Sequence, residues 1–195
     1  MNPTPAVMPT EPARSPAALS AAQLKDQLWA DDAQQLFAVV MGTRVPDLPA
    51  RLARAELIDW DCLLPGALAA HEQADAPYLV QLKRESAFTD WLLFEASASL
   101  GDWGVLVSSA ARRLTLRSHL RSLLQARLPD GRPIALDWMD PAVLQLLLPL
   151  FDAVGLSHFF GPVGSVSVAG ADTWFTASVN LGQLAARITP LAKAA

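Results

Sequence analysis

Hydrophobic runs alternate with polar, glycine and proline breaks, and divide the chain into short strand-like and helix-like segments. QLFAVVM at 35–41, PYLVQL at 77–82 and WGVLVSS at 103–109 are apolar and partly β-branched, which predicts buried strands. IDWDCLL at 58–64 alternates in part and predicts another short strand, stopped by Pro65 and Gly66. Between the strands lie helical stretches. One covers about 20–29 with Ser20 as its cap, and another covers about 48–57 with Asp47 at the N-cap and Pro49 in the first turn. A short Ala-rich helix reaches about Ala74. Ser86 caps a helix over about 87–98, in which Phe88, Trp91, Leu92 and Phe94 supply aromatic and aliphatic core.

The second half begins with the clearest helical period, over 112–128. Leu116, Leu120, Leu123 and Leu124 share one face, and Arg113, Arg117 and Arg121 form a second stripe. LPDGRP at 128–133 has turn chemistry, and IALDW at 134–138 predicts a strand beyond it. Asp140 followed by Pro141 starts a helix that runs to about Leu148, and further helical turns span 152–160. GSVSVAG and TWFTASV pair as a hairpin about Gly170 and Asp172, and a last helix covers about 181–188. The alternation predicts an α/β fold: a layered mixed β-sheet flanked by helices, with a short C-terminal hairpin and helix. The expected organisation is a disordered Pro/Ala-rich tail over 1–17, an α/β domain over 18–163 and a short C-terminal extension over 164–195.

Composition sharpens this picture. The chain is 52% hydrophobic and only 17% charged, against about 25% charged in an average soluble protein. Two readings compete: a well-filled core in an Ala-rich chain, where alanine inflates the hydrophobic count, and apolar surface that a partner covers. The net charge of −4 argues against a nucleic-acid or anionic-membrane binder. A single cysteine, Cys62, cannot form an internal disulfide. The N-terminal MNPTPAVMPTEPARSPAA lacks the basic and apolar regions of a signal peptide, and AVLQLLLPLF at 142–151 is too short to span a bilayer. The expected location is the cytoplasm.

Motifs for catalysis are missing from this reading. There is no G-x-S-x-G elbow around Ser108 and Ser109, no G-x-G-x-x-G and no Walker A lysine. His71, His119 and His158 stand at no metal spacing with one another or with Cys62. Asp59 and Asp61 point the same way if 58–62 is a strand, so they either bind a cation and do acid–base work or form the solvated face of an edge strand. The first option defines the alternative function, a small hydrolase or metal-dependent enzyme using Asp59, Asp61 and a histidine. The leading expectation is a protein without catalytic, cofactor-binding or metal residues. Its candidate surfaces are the C-terminal hairpin, the N-terminal tail and the arginine stripe Arg113, Arg117 and Arg121, with Arg112, Arg127 and Arg132 nearby; the stripe is either a docking face for an acidic partner or the solvated face of an amphipathic helix.

Several segments, in order, resemble the Tap-type adaptor/chaperone family of type VI secretion, first catalogued as a domain of unknown function. They are LFAVVMGTRVPDLPARL (36–52), APYLVQL (76–82), WGVLVSS (103–109), LRSHLRSLLQARLPDGRPIALDWMDPAVLQLLLPLF (116–151) and FFGPV (159–163). The resemblance spans roughly 35–163 and is most specific at Arg127–Gly131, Trp138–Leu144 and Phe159–Val163. Met41 stands where relatives often have Asp, and Trp138-Met139-Asp140-Pro141 replaces their Tyr-Asp-Pro. The resemblance implies a non-catalytic protein that binds the N-terminal part of a toxic effector and the C-terminal part of the valine-glycine-repeat spike protein VgrG. It implies no cofactor, no nucleic acid and no membrane among its partners.

Overall fold

The computed structural model describes residues 18–56, 59–128, 130–170 and 172–192. The tail expected over 1–17 lies outside them.

The first half contains α1 (Ala21–Leu28), β1 (Gln35–Met41), α2 (Leu48–Arg54), β2 (Asp59–Cys62), α3 (Ala70–Asp75) and β3 (Pro77–Gln81). A helical stretch follows: α4 (Ala87–Asp90), a π-helical turn (Trp91–Ala96) and α5 (Ser97–Ser99). Next come β4 (Gly104–Ser109), α6 (Arg113–Ser122), β5 (Gln125–Arg127) and β6 (Pro133–Ala135). The chain then runs through α7 (Pro141–Leu147), a 3-10 turn (Leu148–Leu150), α8 (Ala153–Phe160), β7 (Ser165–Ala169), β8 (Thr173–Asn180) and β9 (Gln183–Pro190).

Seven strands form one sheet in the order β2-β3-β1-β4-β7-β8-β9, and β5 and β6 form a separate two-stranded ribbon. The α/β layered class holds. Within the seven-stranded sheet every strand pairing is antiparallel rather than mixed. β1 sits at its centre and is buried from Leu36 to Met41. Because alternate side chains leave a strand on opposite faces, this run feeds two cores. Phe37, Val39 and Met41 pack with Leu116, Leu120, Leu144, Leu156 and Phe159 from α6, α7 and α8. Leu36, Ala38 and Val40 pack with Leu24, Leu48, Leu52, Leu92 and Leu93 from the helices on the other face. A strand covered on both faces loses polar alternation, which is why QLFAVVM reads as a continuous apolar run.

Two glycines are required by close backbone approach. A Cβ on Gly42 would lie 2.1 Å from the carbonyl oxygen of Ala74, and one on Gly104 would lie 1.9 Å from that of Val39. Gly42 thereby lets the turn after β1 nest against the end of α3.

Several local expectations need correction. The last helix expected over 181–188 is strand β9, which pairs with β8 along its full length. The two-residue turn Leu181-Gly182 has φ of 50° and 75° and closes a hairpin instead of opening a helix. Residues 165–190, assigned from sequence to an extension, supply three strands of the main sheet. α6 stops at Ser122, and Gln125–Arg127 pairs with Pro133–Ala135. Asp47 stands at the N-cap of α2 in a left-handed conformation, φ 55°, and its side chain makes no cap bond. Ser86 does not cap α4; its hydroxyl donates to the Glu56 carbonyl at 2.8 Å. Ser20 and Asp140 do cap: Ser20 forms a full capping box with Gln23, and Asp140 accepts from the amides of Ala142 and Val143 at 2.8 and 3.2 Å.

Candidate functional site

The arginine stripe of α6 faces the edge of the sheet. Helical spacing places Arg113, Arg117 and Arg121 one above another, and α6 lays that row along β2. The Arg113 guanidinium bonds Asp59 at 2.8 Å and also pairs with Asp61. Arg117 meets the second oxygen of Asp61 at 3.0 Å. Arg121 donates to the carbonyls of Cys62 and Leu64 at 2.9 and 3.1 Å. Two features that stood apart in the sequence, the paired aspartates and the arginine row, are therefore each other's partners. The two carboxylates neutralise two guanidinium groups, and the third caps backbone acceptors at the end of the edge strand. The arginine row thus forms a clamp within the chain that ties α6 to β2. Of the neighbouring arginines, Arg132 bonds Asp130 at 2.7 Å and Arg127 donates to Gly131 within the β5–β6 ribbon.

The metal-enzyme alternative needs Asp59 and Asp61 free to take a cation, and both are engaged by arginine. Among the described residues no group of three or more His, Cys, Asp or Glu is placed to hold a metal ion. Nε2 of His119 lies 2.8 Å from the Phe159 carbonyl and its ring sits against Gly161, so it joins α6 to the end of α8. His71 and His158 are exposed on α3 and α8. The hydroxyls of Ser108 and Ser165 lie 2.9 Å apart, and buried Ser109 donates to the Pro162 carbonyl at 2.7 Å. No histidine or carboxylate bonds either serine among the described residues.

A second polar junction joins segments far apart in sequence. Arg44, in the turn after β1, bonds the Asp140 carboxylate at 3.3 Å, so one aspartate both caps α7 and anchors that turn. Asp137 lies beside it. Partial desolvation, and after it the Asp140 carboxylate, push the Asp137 carboxyl above its ordinary value, with Arg44 opposing.

Among the clefts on the face covered by α1, α2 and α4 are two with polar walls. One, of about 300 Å³, lies between α1 and the sheet and is walled by Gln34, Ser108, Ser165, Ser167 and Thr176. The other, of about 500 Å³, lies between α2 and α4, where the Arg51 guanidinium stacks 4.1 Å over the Trp91 ring.

The outer side of α7, the 3-10 turn and α8 is different in kind. Leu146, Leu150 and Val154 are 74%, 78% and 76% exposed, while the intervening Leu148 is fully buried and Phe151 packs on the core. Leu144, Leu148 and Phe151 face inward, and Leu146, Leu150 and Val154 are left in water. Exposed apolar side chains that recur along one segment mark a contact surface more strongly than isolated ones do. The sequence predicts a helix from Asp140 to about Leu148, an apolar run over 142–151 and further turns over 152–160, without separating their two faces. The outward leucines could have been separated from the inward ones by counting helical turns from the Asp140 cap.

No helix among the described residues is long and apolar enough to cross a membrane. The family model described as a domain of unknown function, DUF4123, matches residues 36–157. No curated protein and no solved structure matches the chain.

Proposed function

The chain belongs to the DUF4123 family, and from that premise we propose that it is a cytoplasmic adaptor/chaperone that holds a type VI secretion effector for loading onto the VgrG spike, by binding alone. The family is generally linked to adaptors of that system. The matched span 36–157 coincides closely with the segments whose order and spacing resemble the Tap-type proteins. The single observation that carries the reading is the unburied apolar row Leu146, Leu150 and Val154 inside that span. A chaperone that shields a partner's apolar segment needs such a surface, and a self-contained domain does not.

The partners on this reading are proteins: the effector's N-terminal region and the spike's C-terminal region. The arginines Arg113, Arg117 and Arg121 contribute indirectly, by holding α6 against β2.

The test is co-purification of the tagged full-length chain from cells that express their own secretion system, with the eluted proteins identified by mass spectrometry. Recovery of a spike protein together with a multidomain toxin is the expected result. Recovery of neither overturns the reading.

A further inference from the structure

We propose that the outward edge of β9 receives an extended segment of the cargo protein as an added strand, a second contact that rests on the adaptor reading above. The inference starts from which backbone groups of β9 are unused. The hairpin pairs Asn180 with Gln183 and continues in register to Thr173 with Pro190. Backbone groups of successive residues in a strand point to opposite edges. The Leu191 amide donates inward to Asp172, whereas the Pro190 carbonyl and the Ala192 amide face outward and bond Leu19 at 2.9 and 2.8 Å. Even-numbered residues of β9 therefore present their amides and carbonyls away from the sheet. Leu184, Ala186 and Ile188 offer three outward donors and three outward acceptors that no described strand takes up.

The edge already takes an isolated bridge from the chain's own Leu19 at one end. Leu19 forms a parallel bridge with Leu191, so the geometry there is competent for pairing and the free stretch is continuous with an existing contact. Pro190 has no amide to donate, which ends the free stretch at Ile188.

The edge also lacks the devices that blunt such strands. β9 is eight residues long, carries one charge, Arg187, and has its only proline at its last position. Long, uncharged edges of this kind invite pairing. Its side chains define what fits. Leu184, Ala186 and Ile188 share a face with Phe175, Ala177 and Val179, and Ile188 is 62% exposed. Arg187 lies on the other face, opposite Thr176, exposed and without an ion pair among the described residues. The complementary occupant is a segment of about five to seven residues at ~3.3 Å each. It carries apolar side chains on one face, a carboxylate opposite Arg187 on the other, and no proline where it donates to the edge.

Ala186→Pro removes one outward donor and leaves every bond to β8 in place, while Ala186→Thr keeps the donor and adds bulk at the same position. Full-length wild type and both variants are used to recover the toxin identified with the wild-type chain, and amide hydrogen exchange of each free and loaded protein is followed by NMR. The expected result has three parts. Leu184, Ala186 and Ile188 exchange freely in the isolated chain. They slow by roughly tenfold or more in the complex. Ala186→Pro recovers roughly tenfold less toxin than Ala186→Thr. Full recovery by Ala186→Pro with unchanged exchange at the three amides overturns the edge contact and leaves the adaptor reading standing. Slow exchange in the isolated chain overturns it as well, and assigns the edge to the chain's own residues if independent of concentration or to a second copy if not. Absence of any toxin or spike with the wild-type chain overturns both readings.

Discussion

Three arginines tie α6 to β2. Among the described residues Arg121 has no carboxylate partner, and it donates to the Cys62 and Leu64 carbonyls. Hydrogen bonds from a charged donor are worth about 1.5–3 kcal/mol, and their loss leaves two acceptors unmatched. Arg121→Ala is expected to destabilise the fold by about 1–3 kcal/mol, read as a drop in denaturation midpoint at unchanged m-value. A free stripe awaiting a partner would tolerate the substitution without change. The Asp137–Asp140–Arg44 junction sets a pH signature. Burial and Asp140 raise the Asp137 pKa in the folded state above its unfolded value of about 3.9. A raised carboxyl contributes stability that is fully present below the unfolded pKa and is lost as pH rises through the folded one. Asp137→Asn is therefore expected to melt higher than wild type at pH 7, with the difference vanishing below about pH 4 in paired thermal melts.

At the scale of elements, the hairpin β8–β9 is the least comfortable part of the chain. Leu181 sits in its turn at φ 50° and is 97% exposed. A left-handed conformation costs a side chain with a Cβ about 1–2 kcal/mol, and Asn tolerates it better. Leu181→Asn is expected to stabilise the fold by about 0.5–1 kcal/mol, since no packing is lost. A fall in melting temperature would mean that Leu181 has a contact the fold depends on. This hairpin is also where sequence reading failed. Leu181, Leu184, Ala185 and Ile188 recur at helical spacing, so LGQLAARI reads as an amphipathic helix. Hairpin pairing with the neighbouring strand β8, closed by Leu181-Gly182, overrides it, because the period of one segment does not register its partner strand. Central strands were legible because burial on both faces leaves an uninterrupted apolar run, as in β1 and β4. The caps at Ser20 and Asp140 were legible because their geometry is local. Asp47 and Ser86 also stand at the N-cap positions read from the sequence, but neither side chain makes the cap bond, and that of Ser86 goes to the Glu56 carbonyl instead. Both halves of the clamp were visible as residue types. Their pairing was not, because Asp61 and Arg113 meet only through the fold.

For the whole molecule, two helical layers enclose the centre of the sheet and leave two places less covered: the outer row on α7 and α8, and the β9 edge. Side chains that would ordinarily be buried are exposed at the first, and the second presents backbone groups that no described strand takes up. Both suit a protein whose task is completed by another chain. The measurement that tests this most directly compares wild type with the triple variant Leu146→Ser, Leu150→Ser, Val154→Ser. Each is purified from host cells and scored for co-purified toxin and spike, with melting temperature taken in parallel. These side chains are mostly in water, so replacing them is expected to leave the melting temperature nearly unchanged while recovery of the toxin falls by roughly tenfold or more. Undiminished recovery of toxin and spike by a folded triple variant would contradict the account.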